Sequence, residues 1–184
     1  SNRIVRAAKG RPVMEFGSRR AQGNTGATLG ARASYIAGCS SSACAIAEKL
    51  YGVPAAGTMA HSWVQMFDDE YTAVKTYCEI YPNNATLLID TYSVLDSGLP
   101  NAIKAFKEVL LPRGITRCGV RIDSGDITYL TQKVRKMLDD AGWTECKIVI
   151  SNSLDEYLIT DLERQGSCID SYGVGDAIAT SKAA

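Results

Sequence analysis

His61 is the single histidine of the chain and stands in Gly57-Thr-Met-Ala-His-Ser-Trp63. Imidazole titrates closer to neutrality than any other side chain and serves as base, nucleophile or metal ligand. One histidine cannot build a multi-histidine metal site, so His61 works alone or with carboxylates, or is a plain structural residue. Asp90 ends the run Leu87-Leu-Ile-Asp90. It is suited to orient an imidazole and stabilise its charged form, as the acid does in a His-Asp pair. The ordinary alternative is a capping aspartate of a βα loop.

Arg121-Ile-Asp-Ser-Gly-Asp126 is the densest polar constellation. On a strand, Arg121 and Asp123 share a face. A guanidinium captures a carboxylate or phosphate with two N–H groups, and a nearby carboxylate can hold Mg²⁺ that also coordinates a phosphorylated substrate. An Arg-Asp structural pair followed by an Asp cap explains the same residues. Glu15-Phe-Gly-Ser-Arg-Arg20 sets Phe16 beside Arg19 and Arg20, an aromatic face with cations that suits a flat anionic ring and its phosphate. Ser171-Tyr-Gly-Val-Gly175 carries Gly173 and Gly175, where backbone N–H groups can approach phosphate oxygens. Each of these two segments also reads as an ordinary turn. The whole set (arginines, an aspartate for metal, a glycine-lined anion site and one histidine) favours a phosphorylated substrate over acyl or glycosyl hydrolysis.

These residues need elements to position them. From Gly52 onward, short apolar runs alternate with amphipathic segments. The runs are 53–57, 86–90, 119–123, 147–151 and 169–175, and the segments between them, 62–81, 100–111, 127–141 and 154–165, are expected helices. Ile127, Leu130, Val134, Met137 and Leu138 recur at the steps of a half-buried helix, with Gly142 as its stop. Ser153-Leu-Asp-Glu156 reads as a capping box. Upstream, 26–37 and 42–50 favour helix, and the glycines between Arg20 and Gly30 predict a loop.

Alternating strands and helices imply parallel pairing through right-handed crossovers. An open doubly wound sheet and a (β/α) barrel are both compatible with that order. Polar residues close every apolar run: Thr58 and His61, Asp90 and Thr91, Arg121 and Asp123, Ser151 and Asn152, Gly173 and Gly175. Reactive groups at successive strand ends suit a barrel, although 184 residues is short of the about 250 of a complete one. The expectation is therefore a single α/β domain over 1–184, an irregular or incomplete (β/α) TIM-like barrel.

Composition bounds the partners. Twenty basic and twenty acidic side chains cancel, so no global field recruits nucleic acid or an anionic membrane. No apolar stretch reaches the roughly 20 residues of a membrane span, and no apolar h-region follows the basic N-terminal residues. The six cysteines lack CxxC spacing and read as reduced, structural thiols of a cytoplasmic protein.

Taken together, the stretches EFGSRRAQG, YIAGCSSSACAIAEKLYGVPAAGTMAHSW, LLIDTYSVLDSGLPNAI, GVRIDSGD, ISNSLDE and IDSYGVGDAIATS resemble the nicotinate phosphoribosyltransferase family, in its order and over nearly the whole chain. The resemblance implies a type II phosphoribosyltransferase barrel that makes nicotinate mononucleotide from nicotinate and phosphoribosyl pyrophosphate, with Mg²⁺ and with ATP as co-substrate. It implies that His61 is transiently phosphorylated, with Asp90 as its orienting partner. Arg121 and Phe16 would hold nicotinate, and Asp123 would work near the ribose and the metal. Arg19, Ser151, Asn152, Gly173 and Gly175 would serve phosphate and ribose. The family also implies a homodimer with a shared active site, and N- and C-terminal regions that this chain lacks. Asp176 stands where the family commonly has threonine, and Cys44 where a polar residue is expected. The competing expectations are a relative using nicotinamide or quinolinate, and a truncated, non-catalytic subunit or binding module.

Overall fold

The computed structural model describes residues 1–180. In chain order its longer elements are α1 (Asn2–Ala7), β1 (Val13–Glu15), α2 (Gly23–Ile36), β2 (Ser41–Ser42), α3 (Ala45–Tyr51), α4 (His61–Gln65), α5 (Glu70–Ile80), β3 (Thr86–Leu88), α6 (Leu99–Ala105), β4 (Gly119–Ile122), α7 (Ile127–Asp140), β5 (Lys147–Ile150), α8 (Glu156–Arg164), β6 (Ser171–Val174) and α9 (Asp176–Ala179). The α/β class expected from the alternation is the class observed, and the strand registers are parallel. The contacts gather into two compact units. Among the described residues the first is 1–57 with 151–166 and 170–180, and the second is 58–150 with 167–169.

In the first unit β1 lies between β2 and β6, with Met14 opposite both Ser41 and Gly173. Ile4, Val13, Val53, Leu154, Ile159, Tyr172 and Val174 are buried in it. The Tyr172 hydroxyl donates to Glu163 at 2.5 Å, and Arg11 pairs with the other oxygen of that carboxylate at 2.7 Å. In the second unit β4 lies between β3 and β5, with Val120 opposite Leu87 and Ile148. Leu87, Val120, Ile122, Ile148 and Ile150 are fully buried, as are Leu99, Phe106 and Leu138 from its helices. Strands covered on both faces explain the near-continuous apolar runs.

Several local expectations are corrected. The run 53–57 is no strand: it meets β2 through a single bridge between Ser42 and Ala55, and Pro54 has no N–H to extend a ladder. The strands that replace it, β1 and β2, have too few residues to show periodicity. The segment 62–81 is two helices, because the Asp69 carboxylate takes the Thr72 N–H at 2.8 Å and caps a fresh helix, α5. The segment 100–111 passes from α6 into a wider π turn over Phe106–Leu110. The glycines near Asn24 sit inside α2 rather than in a loop, and Gly26 and Gly30 line a narrow cleft against Gly17, Ser18 and Ala179. The α8 cap is Asp155, which accepts from the Tyr157 and Leu158 N–H groups, while Ser153 has a left-handed φ of 47°.

Candidate active site

In the second unit β3 and β4 end side by side, and their carboxyl ends carry Asp90 and Asp123. The Asp90 side chain is 2% exposed. Its Oδ2 accepts the Asp123 backbone N–H at 2.9 Å and the Ser124 hydroxyl at 2.6 Å. Its Oδ1 is buried without a hydrogen-bond partner among the described residues. Asp126 caps α7 by accepting the Tyr129 N–H at 3.1 Å. The βα turn 123–126 is therefore held at both ends by carboxylates.

His61 is the first residue of α4 and follows the extended Ala60; it does not stand on a strand. Its side chain is 40% exposed, so a substrate can reach it. Nδ1 lies 3.2 Å from the Thr91 hydroxyl. Nε2 lies 3.6 Å from Asp123 Oδ2 and 4.0 Å from Asp90 Oδ1. Those last distances exceed hydrogen-bond length, so the ring's hydrogen-bond partner here is Thr91, with both carboxylates poised along its other edge.

Arg121 and Asp123 share a face of β4, as strand geometry requires. The guanidinium donates to Asp123 Oδ1 at 3.1 Å and to the Thr58 hydroxyl at 2.7 Å. Its side chain is 15% exposed, so a planar cation is fixed at the rim of the cluster. One cation, two carboxylates and an imidazole thus stand within one network. Thr58, Thr91 and Ser124, three of its hydroxyls, had no role assigned from sequence. The one available signal was their place next to His61, Asp90 and Asp123.

In the first unit, Phe16 follows β1 and its N–H donates to the Val174 carbonyl at 2.8 Å. Its ring lies where a side chain on Gly173 would be: a Cβ there would come within 2.5 Å of the ring. Gly175 is less crowded, its own Cβ position 3.2 Å from the Phe16 carbonyl oxygen. Arg19 lies in the exposed turn Ser18–Arg20. Arg20 pairs with Asp176 at 3.0 Å, so the negative charge at the position where threonine was expected faces a cation. Ser151 is buried, and Asn152 is exposed with a left-handed φ of 96°. Cys44 is buried at the start of α3. Burial pushes the Cys39 thiol up to about 11 and the Cys78 thiol up to about 12. All six cysteines are free, and these two are poor nucleophiles near neutrality.

The nicotinate phosphoribosyltransferase (NAPRTase) family matches residues 12–175. The chain belongs to this family. It is 46% identical over 169 residues to the nicotinate phosphoribosyltransferase of Bacillus subtilis, covering 92% of this chain and 34% of that one. It is 41% identical over 180 residues to nicotinate phosphoribosyltransferase pncB2 of Mycobacterium tuberculosis, covering 98% and 38%. Among solved structures, human nicotinic acid phosphoribosyltransferase superposes with a TM-score of 0.84 at 30% identity, over 95% of this chain and 45% of that one. The nicotinate-nucleotide pyrophosphorylase of Pyrococcus furiosus gives 0.81 at 28%, over 98% and 46%. The chain thus spans a little over a third of the length of these curated relatives. His61, Asp90, Arg121, Asp123, Phe16 and Arg19 all fall within the family match. Among the described residues no helix is long and apolar enough to cross a membrane.

Proposed function

We propose that the protein makes nicotinate mononucleotide from nicotinate and phosphoribosyl pyrophosphate, coupled to ATP hydrolysis through a phosphohistidine at His61. The observation that supports this reading is the family match over 12–175, within which His61 lies 3.6 Å from Asp123. A ring nitrogen of His61 attacks the γ-phosphorus of ATP, a phosphorus–nitrogen bond forms, and ADP departs with the electrons of the broken phosphorus–oxygen bond. Thr91 orients the ring, and Asp90 and Asp123 balance the positive charge that it gains. Water later takes the phosphoryl group, releasing inorganic phosphate and restoring the imidazole.

In the glycosyl transfer the pyridine nitrogen bonds to C1 of the ribose as the bond from C1 to pyrophosphate breaks. The transition state is oxocarbenium-like, so the protein's contribution is positioning and electrostatics. Arg121, braced by Thr58 and Asp123, takes the nicotinate carboxylate, and Phe16 takes the ring. Arg19, Ser151, Asn152, Gly173 and Gly175 take ribose and phosphate oxygens. Nicotinamide lacks the carboxylate that Arg121 would pair with, which favours the acid as substrate.

Mg²⁺ is proposed at Asp123, carried in with phosphoribosyl pyrophosphate. Among the described residues no three His, Cys, Asp or Glu side chains gather to hold a metal by themselves. A hard cation with few protein ligands takes the remainder from substrate phosphates and water, and the partly exposed Asp123 suits that chemistry. When bound, the ion supplies neutralisation of the departing pyrophosphate. A cytoplasmic, homodimeric enzyme belongs to the same proposal, supported for the compartment by the free thiols.

The test is product formation from nicotinate, nicotinamide or quinolinate with phosphoribosyl pyrophosphate and Mg²⁺, with and without ATP. Nicotinate mononucleotide, increased by ATP, is expected. Product from another base and none from nicotinate overturns the proposal. His61→Ala should abolish acid-labile ³²P labelling from ATP and leave a basal transfer.

A further inference from the structure

The first unit buries a carboxylate for which the reaction above has no use. Glu15, the last residue of β1, is 2% exposed. Burying a charge is costly unless its oxygens are satisfied, and here both are. Oε1 accepts the Gly17 N–H, and Oε2 accepts the Ser42 hydroxyl at 2.5 Å. The Ser42 oxygen in turn accepts the Cys44 N–H at 2.9 Å, and the Glu15 carbonyl takes the Ala43 N–H at 2.8 Å. One side chain thus ties the end of β1 to β2, to the entry of α3, and to the turn that follows Phe16.

That turn has little room to move. Gly17 admits no side chain, since a Cβ would fall 2.4 Å from Ala179 Cβ and 2.8 Å from the Gly175 carbonyl oxygen. Phe16 is pinned on one side by its bond to Val174 and on the other by Gly173. The remaining freedom is rotation of the peptide plane between Phe16 and Gly17, and the Glu15 carboxylate holds that plane through the Gly17 N–H. The next residues are Ser18 and Arg19.

We infer that Glu15 is a positioning residue: its carboxylate, braced by Ser42, sets the placement of Phe16 and of the Ser18–Arg20 turn for binding the substrate's ring and phosphate. The inference deepens the proposed function and rests on it for the ligands, but not for the geometry. Glu15→Gln is the informative variant. A carboxamide keeps the volume but gives up the charge and one of the two acceptor oxygens, so the charge-assisted hold on the Gly17 N–H and on the Ser42 hydroxyl is weakened. Ser42→Ala removes the brace and leaves the Gly17 contact.

Two measurements on the full-length protein decide it. Amide hydrogen exchange over residues 16–20 should accelerate by about tenfold in Glu15→Gln and less in Ser42→Ala, with exchange in 119–150 unchanged. Nicotinate affinity should fall by about tenfold in Glu15→Gln, while ATP-dependent labelling of His61 stays within about twofold of wild type. A merely structural role would instead lower labelling and binding together. Unchanged exchange over 16–20 in both variants overturns the inference whatever the protein binds. Faster exchange with unaltered nicotinate affinity overturns its functional half. Faster exchange in a protein whose wild type binds no nicotinate leaves the positioning role standing and refutes the proposed function. Should Glu15→Gln fail to fold, Ser42→Ala decides by the same readouts.

Discussion

Asp90 grips Asp123 by its backbone, not by its side chain: Oδ2 of the first accepts the N–H of the second at 2.9 Å. The Asp123 carboxylate is thereby left to face Arg121 on one side and His61 on the other. An aspartate at the end of β3 thus sets the rotation of a loop 33 residues further on, beside the group proposed to carry phosphate.

Removing that grip should separate stability from chemistry. Asp90→Ala leaves the Asp123 N–H and the Ser124 hydroxyl without their acceptor, and should cost about 1–3 kcal/mol in thermal or urea unfolding. Asp90→Asn keeps an acceptor oxygen but removes the charge near Nε2. It should unfold close to wild type and still lose about tenfold in the rate of His61 labelling from ATP. Equal losses of stability in the two variants would refute this division.

Arg121 depends on Thr58 for its aim. Thr58→Val removes the acceptor at 2.7 Å and should raise the KM for nicotinate by about tenfold, the scale of one hydrogen bond to a charged group. Arg121→Lys loses the planar fork as well and should be worse than Thr58→Val. Steady-state kinetics with nicotinate and nicotinamide compares them. The discrimination between acid and amide should shrink in the same order.

Gly173 and Phe16 occupy one space. Gly173→Ala drives a methyl into the ring and should destabilise by about 1–3 kcal/mol, the usual cost of overpacking. Combined with Phe16→Ala, which removes the ring, it should cost much less than the sum of the two single changes. A double-mutant cycle by thermal unfolding measures the coupling. Additive values would mean that the two residues do not meet.

Alkaline pH should destabilise the protein through its buried thiols. Cys39 and Cys78 are raised from 9.0 to about 11 and about 12 by burial. Above pH 9 the unfolded chain releases these protons while the native state retains them, so stability falls as pH rises. The contribution is complete below pH 9 and is lost between 9 and about 12. Urea midpoints at pH 8 and pH 10.5 should differ, and Cys78→Val should reduce the difference. The reactivity of Cys39 and Cys78 towards iodoacetamide at pH 8 should be low.

Much of this was legible in the residues themselves. The stripe of α7 follows from helical periodicity, its end from Gly142, and β3, β4, β5 and β6 from their near-continuous apolar runs, because each pattern encodes its own burial. The shared face of Arg121 and Asp123 follows from strand geometry alone. The two-residue β2 had no such signal, and the apolar run 53–57 reads as a strand although Pro54 within it lacks the N–H that a ladder needs.

The chain's own chemistry determined which groups were available: one imidazole, carboxylates and an arginine at the ends of apolar runs, and an aromatic beside cations. Tertiary structure alone decided how they are spent. It gave the His61 ring to Thr91, aimed Arg121 with Thr58 from 63 residues away, and turned Asp176 onto Arg20. It also buried Glu15 under the Phe16 turn. The reason is physical. Periodicity reports which face of an element is dry, whereas a hydrogen-bond partner depends on where two distant elements meet when the strands take their register.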